Sequence, residues 1–347
     1  MWRNICGVLA VAGGYAAAII GAGFASGQEI VSFFVRYGRF GFWGIVVACV
    51  IFALFAAVVL GFCIKTNINS YAELIDRVVT TKAVRSAINT VIFVCSAAAM
   101  CVMTACAGEI GRSVYGAPPI VGAAALTLLC GVIFLMNSRG IMSLNAALGG
   151  VLVVGIIFAC LYILRYREHQ TVFVQGSAAV SGFAYAGYNI IGTGAVLAAM
   201  SRFLKNKTDA ILAAISAGIA IFIMITLIWG VLSIYYGKIN LGEIPMLTMN
   251  FRQNNALGIF YSLMLSAAVL TTAVSSGYAL IDFLGKRINR KLAAIIILIG
   301  SFFISGAGFS SLVDNVYRVC GYIGAAAAVF LIYKISIKMK NEENKRK

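Results

Sequence analysis

Long apolar runs dominate this chain and restrict what it can fold into. A helix needs about 20 mainly apolar residues to cross a bilayer, and the 347-residue sequence contains ten runs of that order. Because 62% of the residues are hydrophobic and only 11% are charged, the composition is not that of a soluble domain. We therefore predict an all-α integral membrane protein with about 10 transmembrane helices. The predicted spans are 6–34, 41–64, 87–108, 117–136, 143–164, 178–200, 209–236, 257–284, 292–309 and 313–334.

The positions of the basic residues predict the orientation. If both termini are cytoplasmic, the inside segments hold 19 Lys and Arg and the outside segments hold 8, which agrees with the positive-inside rule. We expect a multi-pass protein of a bacterial-type cell membrane. The formal charge of +16 is explained by these loops, so we expect no nucleic-acid partner.

Cysteine and histidine give no sign of a cofactor. The nine cysteines lie mostly inside apolar runs without a CxxC pair, and the sole histidine, His169, falls in a predicted external loop. A disulfide framework or a zinc site is therefore not expected. HExxH is absent and no paired aspartates occupy facing spans, so we predict that the chain is not an enzyme. The sequence contains no filter-like repeat of the kind that would indicate a channel.

The first span carries an unusual polar stretch, GAGFASGQEI at residues 21–30. A helix interrupted in hydrocarbon exposes costly unpaired peptide groups, so such a break persists where it lines a cavity or holds a ligand. The alternative is a small-residue packing face, but packing does not explain an intramembrane Gln-Glu pair. We predict an unwound solute site formed by Gly21, Ala22, Gly23, Gln28 and Glu29.

The sixth span repeats this pattern in SGFAYAGYNIIGTG. Gly187, Gly192 and Gly194 surround polar residues, so we predict that this span is also broken. Its solute-lining candidates are Tyr185, Tyr188 and Asn189, with helix packing as the alternative.

Interrupted segments at matching places in two halves are the sequence sign of a transporter with inverted repeats. We predict a first five-helix repeat at 1–164, an external linker at 165–177, a second repeat at 178–334 and a cytoplasmic tail at 335–347. Half-helix N-termini suit a carboxylate and freed carbonyls suit a cation, which together match a zwitterion. Hydroxyls for a cation are available in the eighth span, at Thr271, Thr272, Ser275 and Ser276.

Two polar stretches between spans also carry predictions. Residues 65–86 contain SYAELIDRVV, which is typical of a short interfacial helix. Residues 237–256 contain LGEIPML, which is consistent either with an external capping segment or with an ordinary loop.

GAGFASGQEI followed by FF, together with the later YAGYNIIGTG, resembles the YkvI-like family of bacterial membrane proteins. This family lies within the amino acid/polyamine/organocation superfamily, and the resemblance spans essentially the whole chain. It implies a LeuT fold with a 5+5 inverted repeat and broken helices one and six.

The resemblance also implies an ion site. In LeuT-fold sodium symporters a sodium ion lies between carbonyls of the broken first helix and two hydroxyls of helix eight. Those positions resemble Ala17 and Ile20 for the carbonyls and Thr271 and Thr272 for the hydroxyls, and the solute carboxylate would lie near Gly21 to Gly23. Phe24 stands where an Asn ligand of a second sodium would be, so coupling to two ions is not implied. Apart from a bound Na⁺, no cofactor is implied.

Glu29 keeps proton coupling open, because a buried carboxylate can load and release a proton. The alternative is a structural partnership with a peptide N–H or with Arg36. Glu109, Asp282 and Asp314 sit near span ends and are interpreted as interfacial, with gating as the alternative. The predicted function is ion-coupled symport, by Na⁺ or H⁺, of a small solute such as an amino acid. The alternative is a nutrient sensor without net transport.

Overall fold

The computed structural model describes residues 2–135, 141–164 and 176–344, and within those ranges it contains helices and no strand. Short 3₁₀ segments occupy Val35–Phe40 and Ser201–Phe203, and one π-helical turn occupies Val313–Tyr317. The α-helices are α1 (Trp2–Ile19), α2 (Ala22–Ser26), α3 (Gln28–Phe33), α4 (Gly41–Thr66), α5 (Tyr71–Val78), α6 (Lys82–Tyr115), α7 (Pro119–Leu135), α8 (Ile141–Ile163), α9 (Ala178–Met200), α10 (Lys207–Tyr235), α11 (Pro245–Gln253), α12 (Asn255–Leu284), α13 (Arg290–Ser305), α14 (Phe309–Leu312) and α15 (Arg318–Asn344).

Many of these helices are long and apolar enough to cross a membrane. In the described part of the chain six meet both criteria: Val35–Thr66, Lys82–Tyr115, Ala178–Phe203, Lys207–Tyr235, Asn255–Leu284 and Phe309–Lys340. Shorter apolar helices cover Ile5–Ile19, Pro119–Leu135 and Leu152–Ile163. The predicted ninth span corresponds to α13, which has 16 residues. The chain is therefore a multi-pass helical membrane protein, while the count of ten spans stays a prediction.

Helix α9 lies at the centre of the bundle, packed between α4 and α15. Its Tyr185 is fully buried, with ring centroids 5.4 Å from Phe33, 5.0 Å from Phe34 and 6.1 Å from Phe52. These aromatic contacts join the C-terminal end of the first span to the middle of the bundle.

The predicted break in the sixth span is wrong, because α9 runs without interruption from Ala178 to Met200. Three of its four glycines, Gly182, Gly187 and Gly194, pack closely against other elements, whereas Gly192 does not. A Cβ added at Gly187 would overlap the Gly321 carbonyl of α15, and one added at Gly182 would overlap the Gly44 backbone of α4.

Two polar side chains of α9, Asn189 and Thr193, are satisfied inside the helix. The Asn189 side-chain amide donates to the Tyr185 carbonyl at 3.0 Å, and the Thr193 hydroxyl donates to the Asn189 carbonyl at 3.1 Å. Such bonds to the preceding turn let an unbroken helix carry polar residues in an apolar environment. The glycine and polar pattern was therefore compatible with a continuous helix.

The two polar stretches between spans both contain helices. The predicted short helix is present as α5, in which Ser70 accepts a hydrogen bond from the Glu73 N–H at 3.2 Å, with Leu74 and Val78 buried. Its interfacial position stays a prediction. The stretch 237–256 contains α11, which begins at Pro245 and buries Met246, Leu247, Met249 and Asn250. A buried helix replaces the ordinary-loop alternative for this segment.

The chain's final helix extends further than predicted. Helix α15 continues through residues 335–344, so most of the predicted tail is helical. Residues 165–175 of the predicted linker, with His169, lie outside the described residues, as does Arg139.

Candidate solute and ion site

The first span is broken between α1 and α2, as predicted. The Gly21 N–H, which an unbroken helix would give to the Ala17 carbonyl, donates instead to the Ile19 carbonyl at 2.9 Å. The next bond of the new helix runs from the Ala25 N–H to the Gly21 carbonyl at 3.0 Å. The break therefore releases the Ala17 carbonyl from its usual partner.

A second break follows at Gly27, between α2 and α3. Gly27 has a φ of +81°, a conformation that side chains other than glycine rarely adopt. A Cβ at this position would lie 2.8 Å from Cγ of Met246 and 2.9 Å from Cδ1 of Leu232. Ser26 stabilises the turn, because its hydroxyl donates to the Gly23 carbonyl at 2.6 Å and accepts from the Gln28 N–H at 3.1 Å. Glycine is required here by both backbone conformation and space.

Helix α12 lies alongside the broken segment. The Tyr261 hydroxyl donates to the Ala25 carbonyl at 2.6 Å, and the Thr272 Oγ1 atom lies 3.9 Å from the position that a Cβ on Gly21 would take. Thr271 is buried, whereas Ser275 is exposed. The structure thus brings Thr272 close to the break, buries Thr271 and leaves Ser275 exposed.

The oxygens near this break are of the chemical kind that binds a small cation. The Ala17 carbonyl has lost its usual helical partner, the Gly21 N–H. Ile20 lies at the break itself, one residue before Gly21, whose carbonyl accepts the first bond of the next helix. The Thr271 hydroxyl donates to the Ala268 carbonyl at 3.1 Å, which leaves its oxygen free to accept or to coordinate. Carbonyl and hydroxyl oxygens are the ligands that hard cations prefer.

Glu29 is buried without a partner. Its residue is 3% exposed, and among the described residues no hydrogen bond or ion pair reaches its carboxylate. The side chain folds back along the first span, so that a Cβ added at Gly23 would overlap the Glu29 Oε1 atom. The Arg36 alternative is wrong, because the Arg36 guanidinium lies 3.5 Å from the Asp314 carboxylate.

Three tyrosines lie within electrostatic range of the Glu29 carboxylate: Tyr185, Tyr188 and Tyr317. The Tyr188 and Tyr317 rings stack with centroids 4.1 Å apart and an interplanar angle of 25°. The Tyr185 and Tyr317 hydroxyls are buried and have no well-aligned hydrogen-bond partner in the described part of the chain. These are polar groups that a bound molecule could satisfy.

Tyr317 and Tyr261 were not predicted from the sequence. Tyr317 belongs to the π-helical turn Val313–Tyr317 in the last predicted span, and Tyr261 lies in the N-terminal part of α12. The only available signal was the polar pair Asp314 and Asn315 just before Tyr317. Of the remaining predicted residues, Gln28 is buried beside the Ser26 turn and Asn189 is half-buried.

A polar layer lies at the C-terminal end of the first span. The Ser32 hydroxyl donates to the Asp314 carboxylate, which also faces Arg36. The Arg318 guanidinium donates to the Ser32 carbonyl at 3.0 Å and lies over the Phe33 ring. Asp314 is therefore part of a contact between the first and last spans.

The other two span-end carboxylates have local partners. The Glu109 carboxylate is buried and lies 2.9 Å from the Arg112 guanidinium, and the Asp282 carboxylate lies 2.7 Å from the Arg290 guanidinium at an exposed position. Neither contacts the first span through these bonds.

Comparison with known proteins places this geometry in context. No family model matches the chain. The uncharacterized membrane protein YkvI of Bacillus subtilis (strain 168) is 25% identical over 329 residues, covering 92% of this chain and 94% of YkvI. The chain is similar to YkvI along nearly its whole length. A second uncharacterized protein of the same organism, YyaD, is 25% identical over 336 residues, covering 93% of this chain and 95% of YyaD. The predicted resemblance to the YkvI-like proteins is confirmed.

Solved structures show the fold. A Na⁺-coupled sialic acid symporter matches with a TM-score of 0.57 at 14% identity, covering 90% of this chain and 75% of the symporter. A manganese transporter of Eremococcus coleocola matches with a TM-score of 0.59 at 12% identity, covering 94% and 77%. MhsT, solved in complex with L-phenylalanine, matches with a TM-score of 0.55 at 15% identity, covering 95% and 86%. The all-α LeuT-type fold is confirmed, and none of these names describes an enzyme.

Proposed function

We propose that this protein is a secondary active transporter that moves a small solute through the break in its first span. The observation that carries the proposal is the Ile20–Gly21 break, which lies against the hydroxyl-bearing face of α12. Peptide groups bared within a bilayer-spanning segment are costly, and a buried carboxylate without a partner adds to that cost. A bound solute and a bound cation would satisfy both.

The proposed coupling ion is Na⁺, held by the Ala17 and Ile20 carbonyls and by the Thr271 and Thr272 hydroxyls. The support is the rerouted Gly21 N–H and the position of the Thr272 Oγ1 atom beside Gly21. Glu29 makes H⁺ the alternative coupling ion. Ser275 is exposed, so we propose that it contributes less to the ion site than the two threonines.

The proposed solute site is formed by Gly21, Ala22, Gly23, Gln28 and Glu29, faced by Tyr185, Tyr188 and Asn189. Its support is that these residues are buried or half-buried around one segment. Amino acids are the solute class that the sequence predicts. The two five-helix repeats, the cytoplasmic termini and the bacterial-type cell membrane also stay parts of this proposal.

Alternating access would require the outer contacts to open. In this structure α11 packs against α2 and α3, and the Glu243 carboxylate accepts from the Ser310 N–H at 2.6 Å. With the Ser32–Asp314 and Arg36–Asp314 contacts, these groups join the first span to α11 and to the final helix. We propose that the outward-open state breaks them together.

Uptake into proteoliposomes tests the function. Purified protein should accumulate labelled solute from a mixture of amino acids and small amines only when an inward Na⁺ or H⁺ gradient is imposed. The double substitution T271A/T272A should remove a Na⁺ dependence, while S275A should preserve it. Specific binding with no accumulation under any gradient would favour the nutrient-sensor alternative.

A further inference from the structure

We infer that the solute presents a cationic amine to the Glu29 carboxylate, and that an organic amine without a carboxylate binds better than the corresponding amino acid. The inference rests on the proposed function of this site and names its substrate class. It departs from the zwitterion that the sequence predicts.

The first argument is the charge around Glu29. The nearby arginines are committed elsewhere: Arg36 lies beside Asp314, Arg112 pairs with Glu109, and Arg318 donates to the Ser32 carbonyl. Among the described residues none places a cation against the Glu29 carboxylate. A carboxylate in an apolar interior is neutralised either by a proton or by a positive partner. No described side chain is that partner, so an ammonium group of the solute can take the place of the proton.

The second argument is the position of the carboxylate. It lies against Gly23, within the Gly21 to Gly23 stretch of the proposed solute site. Two carboxylates sharing a buried site repel each other. An amino acid would bring its negative group to an occupied place, whereas an amine brings the charge that the place lacks.

The third argument is the surrounding aromatic surface. Tyr188 and Tyr317 form a stacked pair, and aromatic faces attract ammonium groups. The buried Tyr185 and Tyr317 hydroxyl oxygens, which have no well-aligned hydrogen-bond partner in the described part of the chain, can accept N–H bonds from an ammonium group. Carboxylate, π-faces and phenol oxygens together form a receptor for a cation with an organic substituent.

The test uses pairs of ligands that differ only in the carboxylate: cadaverine with L-lysine, agmatine with L-arginine, and phenethylamine with L-phenylalanine. Ligand binding to the folded state raises the thermal unfolding midpoint by mass action, so each probe is titrated against purified protein in detergent. We expect at least one amine to stabilise the wild type at a concentration at least tenfold lower than its amino-acid partner requires.

Variants assign that effect to Glu29. Glu29→Gln should weaken the amine response at least tenfold, Glu29→Asp should retain part of it, and Glu109→Gln should retain it, because Glu109 already pairs with Arg112. Monodispersity and the ligand-free midpoint of each variant show that it is folded. If Glu29→Gln fails to fold, the comparison of Glu29→Asp with Glu109→Gln still separates the outcomes.

The inference is wrong if the amino acids stabilise better than the amines, if no amine stabilises the wild type, or if folded Glu29→Gln responds like the wild type. These failures are distinct from failure of the proposed function. Gradient-driven uptake of an amino acid without amine binding would overturn the inference alone. Amine binding without uptake would overturn the transporter proposal alone.

Discussion

The two glycines Gly187 and Gly192 of α9 provide a sharp test of why the sixth span is continuous. A Cβ at Gly187 would overlap the Gly321 carbonyl and lie 2.7 Å from Cβ of Ala325, whereas a Cβ at Gly192 would meet no atom within 4 Å. The two sites are five residues apart in one helix. The same Gly→Ala substitution therefore tests a crowded position and an open position in one helix.

The expected magnitudes follow from these contacts. Gly187→Ala forces α9 away from α15 and should lower the free energy of unfolding by about 1–3 kcal/mol, as overpacking does in a well-packed interior. Gly192→Ala adds a methyl group to open space and removes a flexible residue from a helix, so it should raise that free energy by up to about 1 kcal/mol.

Equilibrium unfolding of purified protein in mixed micelles, followed by circular dichroism, measures both variants against the wild type. The packing account requires opposite signs, separated by at least about 1 kcal/mol. If Gly187→Ala is neutral while Gly192→Ala is strongly destabilising, the glycines serve chain flexibility and the account of α9 is wrong.

Three further predictions concern the first span and its contacts. Gly27→Ala should destabilise by about 1–3 kcal/mol because of the positive φ and the Met246 contact, while Gly61→Ala, where a Cβ meets nothing within 4 Å, should not; thermal unfolding midpoints compare the two. Tyr261→Phe should cost about 0.5–1.5 kcal/mol by removing the bond to the Ala25 carbonyl, measured by the same unfolding titration, and an unchanged value would remove Tyr261 from the support of the break. Asp314→Asn should change stability by less than about 1 kcal/mol, since the Arg36 pair is partly exposed, yet it should speed proteolysis or labelling at the outer end of the first span. Equal labelling rates in Asp314→Asn and the wild type would contradict a closing role for this contact.

The first break could be predicted from the sequence because Gln28 and Glu29 are expensive inside a membrane, and packing alone gives no reason for them. The sixth span had no such charge. The Asn189 and Thr193 side chains are satisfied by hydrogen bonds to the preceding turn. Gly187 and Gly182 pack against the backbone of Gly321 and Gly44, which lie far away in the sequence. Glycine permits both unwinding and close approach, and only the neighbouring helix decides between them.

The partners around the site were also beyond the sequence. Arg36 is seven residues from Glu29, yet it faces Asp314, which a distant helix brings to the outer end of the first span. Tyr317 stacks on Tyr188 where a π-helical turn lies in the last predicted span. Such pairings depend on the tertiary arrangement, so helix periodicity could not reveal them. The cluster of hydroxyl residues in the eighth span pointed to Thr271 and Thr272, and the resemblance to LeuT-fold symporters singled them out from Ser275 and Ser276.

Backbone hydrogen exchange resolved to single residues tests most directly whether the break in the first span is the binding site. We predict that the amides of Ala22, Gly23 and Phe24 exchange faster than those of residues 187–193 in α9, because the latter lie in an unbroken helix. A stabilising amine or Na⁺ should slow exchange at the first group and leave the second unchanged. Equal protection of the two segments without ligand, or protection by ligand confined to α9, would contradict the account.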